Sequence, residues 1–305
     1  MIRVWLFGRT PGLPPGIPGR CALQPGQSRA GKIPPPQTVF THPSRRKNTR
    51  ERPGPFIVRF FRVTCGAITW INTNLIMKKL VVLTGAGMSA ESGIRTFRDS
   101  DGLWEEYRIE DVCTPEAWER NPELVNNFYN ARRKQLLEAK PNAGHIGLAE
   151  LERDFDMHII TQNIDDLHER AGSTRVLHLH GELRKVRSSL NPNLIYDLDG
   201  WELKLGSKAE DGSLLRPHVV WFGEAVPNIE PATELVRQAD IFVVIGTSLA
   251  VYPAASLLYY VPKGCRVLLI DPRVPESVRK SHIEFIETGA SEGVKILKEK
   301  LKENL

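Results

Sequence analysis

The stretch "LTGAGMSAESG", residues 83–93, places Gly85 and Gly87 directly behind an apolar run. Two glycines at a strand end let the backbone turn tightly, and free N–H groups at the start of the next helix can then hold a pyrophosphate. Taken alone, the pattern also fits a tight turn with no ligand. A site for hydride transfer needs a βαβ unit of about 30 residues, with an acid ending its second strand. Here the chain runs from Gly87 through "SGIRTFRDSDGLW" into helix, and no strand begins before Met157. That counts against a dehydrogenase. A second candidate is His180, at the end of "VLHLHG". Imidazole titrates near neutrality and can take a proton from a hydroxyl, although a strand-end histidine is also a common packing residue. His178 shares its strand face by alternation and is assigned to packing, as are His145 and His168. A third pattern is "FYNARRK", where Tyr129 and Arg132 are three apart and share a helical face. Arg133 and Lys134 follow, so a solvated basic face is one reading of it.

The elements that must carry these groups are short β-rich runs: "KLVVLTG", "MHIITQN", "VLHLHG", "HVVWFGE", "IFVVIGTS" and "RVLLIDP". Most end in glycine or a polar residue, and helical stretches such as 116–139 and 231–239 lie between several of them. Strands buried on both faces and alternating with helices predict an α/β fold with an open parallel sheet. Ligands sit beyond the carboxyl ends of such strands. Residues 102–140, mainly helical, and 181–217, irregular and turn-rich, are read as a small accessory lobe over that edge.

Charge is unevenly spread. Of 41 Lys and Arg, 12 precede Met77 with one of the 36 acids, leaving 29 basic against 35 acidic side chains. Of 22 prolines, 11 also lie there, in strings such as "PGLPPGIPGR" that neither propagate a helix nor fill a central strand. Residues 1–76 therefore read as a disordered extension, and Met77, opening "MKKLVVLTGAG", as the natural start. Mass spectrometry of the native N-terminus checks this. The extension has neither a clean secretory core nor an uninterrupted membrane span. The four cysteines, at 21, 65, 113 and 265, form no CxxC pair. That spacing fits neither a zinc knot nor a disulfide framework, and a cytoplasmic location is the simplest expectation.

Four signatures in order, "GAGMSAESGIRTFR", "TQNIDDLHERAG", "HLHGEL" and "VIGTSLAVYP", resemble the sirtuin family of NAD-dependent protein-lysine deacylases, over about residues 78–303. The resemblance implies a Rossmann-like sheet and a tunnel in which NAD meets an acylated lysine. The acyl oxygen attacks the nicotinamide ribose, a histidine base assists the following hydroxyl attack, and free lysine and O-acyl-ADP-ribose result. His180 would be that base, with Asn163 and Asp165 beside the ribose and nicotinamide amide. Gly85, Ala86, Gly87, Ser89, Glu91, Gln162, Gly246, Thr247 and Ser248 would hold the cofactor near its phosphates and ribose. Phe97, Arg98 and Trp104 would lie on a loop that closes beside nicotinamide, with Phe97 an apolar shield. Asp271 and Ala290 would border adenosine. A capping role for the "DDLHERAG" helix is the alternative for Asp165, and Asp166 fits that cap better.

On the substrate side, "HVVWFGE" resembles the family segment that pairs with a substrate peptide as an added strand, implying contacts from Val219, Trp221, Phe222, Gly223 and Glu224. Trp221 and Phe222 also read as core aromatics, one role per face. Tyr129 and Arg132 match the Tyr-x-x-Arg pair of sirtuins that remove succinyl and malonyl groups. An acyl chain ending in carboxylate within an apolar tunnel needs a cation and a hydroxyl donor. The chain departs from the family where a four-cysteine zinc ribbon normally follows the His-Gly pair: residues 182–217 hold no cysteine, so no structural metal is expected. The apolar group Leu194, Ile195, Tyr196, Leu198, Trp201 and Leu203 is expected to hold the lobe instead. Arg95 stands where many relatives have proline. Two further readings stay open: a mono-ADP-ribosyltransferase using the same intermediate, and a non-catalytic NAD-binding module whose basic arm docks on nucleic acid. The body itself is expected to bind acylated-lysine proteins, without nucleic acid or membrane.

Overall fold

The computed structural model describes residues 77–94, 107–247, 249, 251–273 and 282–303, plus the backbone of 57–64 and 67–74, all within the unit Pro55–Leu305. The hairpin of β1 (Ile57–Thr64) and β2 (Ala67–Asn74) pairs Ile57 with Asn74 and Thr64 with Ala67. Their sequences, "IVRFFRVT" and "AITWINTN", are rich in the β-branched and aromatic residues that favour extended backbone.

The parallel sheet is built from β3 (Lys79–Thr84), β4 (Asp156–Thr161), β5 (Val176–His178), β9 (Ile241–Ile245), β10 (Arg266–Ile270) and β11 (Glu284–Ile286). Its order is β11-β10-β9-β3-β4-β5. Side chains alternate across it. Leu80 and Val82 join Ile159 and Val243 on one face, under α5 (Ala143–Leu151) and α8 (Ala290–Lys302). Val81 and Leu83 join Ile160, Phe242 and Val244 on the other, under α7 (Ile229–Arg237) and a 3-10 turn, Ala254–Tyr260. Helix α8 supplies Val294, Leu297 and Leu301, spaced to lie on one stripe. From β3 the chain first builds outward through β4 and β5, then returns to β9 on β3's other side. The carboxyl ends of β3 and β9 thus form the switch point where such sheets bind ligands.

The short helix α1 (Gly87–Ala90) follows β3, and α6 (Leu167–Arg170) follows β4. The accessory lobe combines α2 (Ile109–Val112), α3 (Pro115–Arg120) and α4 (Pro122–Glu138) with an antiparallel sheet of order β7-β6-β8. Its strands are β6 (Gly181–Ser188), β7 (Ile195–Asp197) and β8 (Leu215–Val219). The stretch read as irregular thus contains a sheet, and "HVVWFGE" enters this sheet rather than the parallel one. A register shift between Gly181 and Val186 breaks the alternation that would have revealed β6.

The lobe is not held by the apolar group proposed from sequence. Of its members only Leu203 is buried; Ile195 and Trp201 are 44% and 40% exposed. Buried polar side chains of α4 do the holding. Asn130 accepts from Leu203 N–H at 2.9 Å and donates to its carbonyl at 3.1 Å, and Asn126 donates to the same carbonyl. Arg133 is buried rather than solvated: it donates to Leu183 O at 2.8 Å and Asn130 Oδ1 at 2.6 Å. Burial lowers its pKa to about 10, still charged at neutrality. Ser188 Oγ ties the distal loops, donating to Asp211 Oδ2 at 2.6 Å and accepting from Leu190 and Asn191 N–H.

At the lobe's base Arg216 grips both Glu224 oxygens, at 2.7 and 3.0 Å, while its guanidinium lies 3.3 Å from the Trp221 ring centroid. Burial would raise the Glu224 carboxyl, but the hydrogen bonds and charge of Arg216 hold it below its usual range. Removing one member of such a buried pair strands the other. Glu224→Ala is therefore expected to lower stability by about 3 kcal/mol in urea denaturation.

Candidate active site at the carboxyl edge of the sheet

At the switch point the two strand-end turns touch. Gly85 N–H donates to Ile245 O and Gly87 N–H to Gly246 O, both at 2.9 Å. A β-carbon on Gly85 would stand 2.7 Å from Thr247 Cβ, and one on Gly87 would stand 2.7 Å from Gly246 Cα. Gly246 has φ +63°, the left-handed region that favours glycine. The glycines are thus needed for close approach of the loops. Their own N–H groups are engaged, which corrects the expectation that the loop presents several free donors. Among the described residues, the Ala86 N–H between them has no partner. Gly87→Ala is expected to cost about 2 kcal/mol, because backbone cannot yield as a side chain would. Thermal melts, together with NAD titration, check this.

A hydrogen-bond network extends from the loop to the end of β4. Asn163 Nδ2 donates to Gly85 O at 3.0 Å and Ser89 Oγ at 3.1 Å. Ser89, fully buried, donates to Asp165 Oδ2 at 2.9 Å. Asp165 Oδ1 accepts from Leu167 N–H at 3.2 Å. Asp166 stands at the N-cap position of α6, but its carboxylate turns outward to Arg170 at 3.4 Å, and it is the Asp165 side chain that accepts the helix-start N–H. Burial raises the Asp165 pKa, and its bonds from Ser89 and Leu167 oppose the shift. Gln162 Nε2 reaches Thr247 Oγ1 at 3.1 Å, joining the β4 and β9 ends.

His180 sits against this network. Its Nδ1 lies 2.9 Å from Gln162 O, an acceptor only, so Nδ1 carries the proton and Nε2 is left with a lone pair. Burial lowers its pKa, against the pull of that carbonyl bond. The ring is therefore neutral at pH 7, with the tautomer that suits a base. His178 is different in kind: its nitrogens face Asn163 O at 3.0 Å and Glu169 Oε1 at 2.8 Å. Burial opposes its charge, but the Glu169 contact overcomes this and raises its pKa. It packs, as expected, and also fixes the Asn163 main chain. His145 and His168 are buried in edge-to-face contact at 4.8 Å, and burial keeps both uncharged at neutrality.

Beneath the lobe, Tyr129 is 2% exposed and Arg132, on the next turn of α4, is partly buried. Burial lowers the Arg132 pKa, and Tyr129, Cys113 and Asp165 pull it back up, so this cation acts on the same region as Asp165. Its guanidinium lies 5.6 Å from the Phe128 ring centroid.

A family model described as the Sir2 family matches residues 85–253, more than half of the chain. The chain belongs to the Sir2 family. An NAD-dependent protein deacylase of Bacteroides thetaiotaomicron is 61% identical over 230 residues, which are 74% of this chain and 98% of the relative. One of Helicobacter pylori is 53% identical over 229 residues, 74% and 99% of the two chains. Among solved structures, a Sir2 homolog–NAD complex is 42% identical with TM-score 0.67, covering 75% of this chain and 91% of that one. A Sir2 with a deacetylated p53 peptide and 3′-O-acetyl ADP-ribose is 31% identical with TM-score 0.64, covering 73% and 94%.

Other Sir2-derived expectations divide. Gly85, Ala86, Gly87, Ser89, Gln162, Asn163, Asp165, Gly246 and Thr247 cluster at one edge beside His180. Asp271 ends β10, buried, its Oδ1 accepting from Arg273 N–H at 2.9 Å. Glu91 instead accepts from Ser291 N–H at 3.0 Å, at the start of α8 beside Ala290, so it anchors that helix. Phe97, Arg98, Trp104 and Ser248 lie outside the described residues, as does Arg95. In the substrate segment Trp221 is 2% and Phe222 49% exposed, so one turns into the core and one out. Glu224 is held by Arg216, and Gly223, at φ +91°, makes the turn between them. Among the described residues no group of three His, Cys, Asp or Glu could hold a metal ion, and no helix is long and apolar enough to cross a membrane.

Proposed function

We propose that this Sir2 protein consumes NAD to remove acyl groups from protein lysines, favouring succinyl and malonyl over acetyl. The observation that carries the reaction is the open polar set at the sheet edge. Among the described residues the Ala86 N–H, Asn163 Oδ1 and His180 Nε2 have no partner, and they offer a donor, an acceptor and a base. These suit a dinucleotide: the donor for a phosphate, the acceptor for an amide or hydroxyl, and the base for a ribose hydroxyl. Bound NAD supplies an activated ribose carbon to receive the acyl oxygen. The protein's part is to orient it through Asn163, itself locked by Gly85, Ser89 and His178, and to take a proton at His180 Nε2. The relatives named as NAD-dependent deacylases support this reading.

The acyl preference rests on Tyr129 and Arg132, a buried hydroxyl and a partly desolvated cation one turn apart. A carboxylate entering there would gain a charge-assisted bond. The partner is an acylated-lysine segment lying along β8 as an added strand, with the exposed Phe222 at its border. No structural zinc takes part in this proposal, and stoichiometric zinc by elemental analysis would contradict it. The proposed compartment is the cytoplasm. The test is turnover of acetyl-, malonyl- and succinyl-lysine peptides with NAD. Free lysine peptide and O-acyl-ADP-ribose are expected, whereas ADP-ribose on an acceptor protein would establish a transferase.

A further inference from the structure

The hydroxyl of Tyr129 has two protein neighbours, and they are unequal. Trp221 Nε1 donates into its oxygen at 3.0 Å. Cys113 Sγ lies 3.4 Å away on α2's C-terminal side. Indole can only donate, so the phenol proton cannot point toward Trp221. Among the described residues the thiol sulfur is the one acceptor within its reach, and sulfur accepts weakly. The phenol proton is thus turned away from the indole, and either the phenol or the thiol can be the donor of the sulfur contact.

The aim is itself fixed from below. Trp221 is stacked under the Arg216 guanidinium, and its main-chain N–H donates to Glu224 Oε2 at 2.8 Å. The ring also packs on Trp118, with centroids 5.9 Å apart. Phe222 N–H donates to Cys113 O at 3.0 Å, so the segment that carries Trp221 also holds the cysteine. Both neighbours of the hydroxyl are therefore tied to the segment that follows β8.

We infer that Trp221 is a positioning residue for acyl selectivity: its N–H occupies the Tyr129 oxygen and turns the phenol proton toward an acyl carboxylate, while Cys113 offers that proton only a weak rival acceptor. The inference rests on the acyl reading above and deepens it. A carboxylate outcompetes a thiol sulfur for the phenol proton, so binding it breaks only a weak contact. A hydroxyl in place of the thiol would compete far better.

The test compares kcat/KM for succinyl- and acetyl-lysine peptides across Trp221→Phe, Cys113→Ser and Cys113→Ala, with melting curves for each. Trp221→Phe keeps an aromatic ring under Arg216 and removes the donor together with part of the indole's packing area, which the melting curves monitor. It is expected to lower the succinyl-to-acetyl ratio about 10-fold, mainly through KM. Cys113→Ser should lower the ratio about 3-fold, and Cys113→Ala should hold or raise it. Should Trp221→Phe fail to fold, the opposite directions of the two cysteine variants still decide. Equal losses on both peptides, or Ser and Ala moving the ratio alike, would overturn the inference. Arg132→Met run in parallel separates the levels. If it collapses the ratio while Trp221→Phe and Cys113→Ser do not, only this inference fails. If Arg132→Met leaves the ratio intact, the acyl reading fails and takes the inference with it.

Discussion

His180→Ala is expected to lower deacylation kcat about 10³-fold, the middle of the range for removing a general base. NAD binding, measured by calorimetry, should stay within about threefold, because the imidazole meets one ribose hydroxyl while the Ala86 N–H and Asn163 keep their contacts. The reason for so large an effect lies in the ring's setting. Gln162 O holds the Nδ1 proton, so only Nε2 can accept. His178 has both nitrogens engaged, and His145 and His168 are buried.

The same setting fixes the sign of the pH dependence. The base works only when neutral, and burial holds its pKa below the ordinary value near 6.5. The acid limb of kcat/KM should therefore be centred below 6.5, with activity falling as the pH is lowered through it. An acid limb centred above 6.5 in kcat/KM would show that some other group titrates.

How much of this was legible beforehand follows from which signals each element needs. Strands such as "IFVVI" are buried on both faces and survive as unbroken apolar runs, so the parallel sheet could be read directly. β6, "GELRKVRS", hides behind its charges and a shifted register, and β11 is three residues long. Which of Asp165 and Asp166 caps the helix with its side chain could not be read, because adjacent carboxylates look alike until one is drawn in by Ser89 and the other out by Arg170. The lobe's support was misplaced for a related reason. Apolar composition says that residues 194–203 could cluster, but not whether a partner surface exists. The holding groups are instead Asn126, Asn130 and Arg133, polar residues whose burial no periodicity announces. Spacing did put Tyr129 and Arg132 on one face; it could not show the bond from Trp221, 92 positions away.

Arg132→Met is expected to reduce the succinyl-to-acetyl ratio of kcat/KM about 100-fold. Methionine keeps a long apolar stem against Phe128 and removes the charge, so the lobe's packing is largely retained. What disappears is a charge-assisted partner for a carboxylate in a site where burial already depresses the guanidinium pKa. A carboxylate left there without its cation loses about 3 kcal/mol, and each 1.4 kcal/mol is a factor of ten. Acetyl-lysine carries no terminal charge and has no such loss to suffer. The difference should appear chiefly in KM, since the acyl terminus is remote from the reacting carbonyl and binds ground and transition states alike. Arg132→Lys keeps the charge without the planar fork and should fall between wild type and methionine. Equal losses on both peptides would mean that Arg132 supports the lobe and does not read the acyl group.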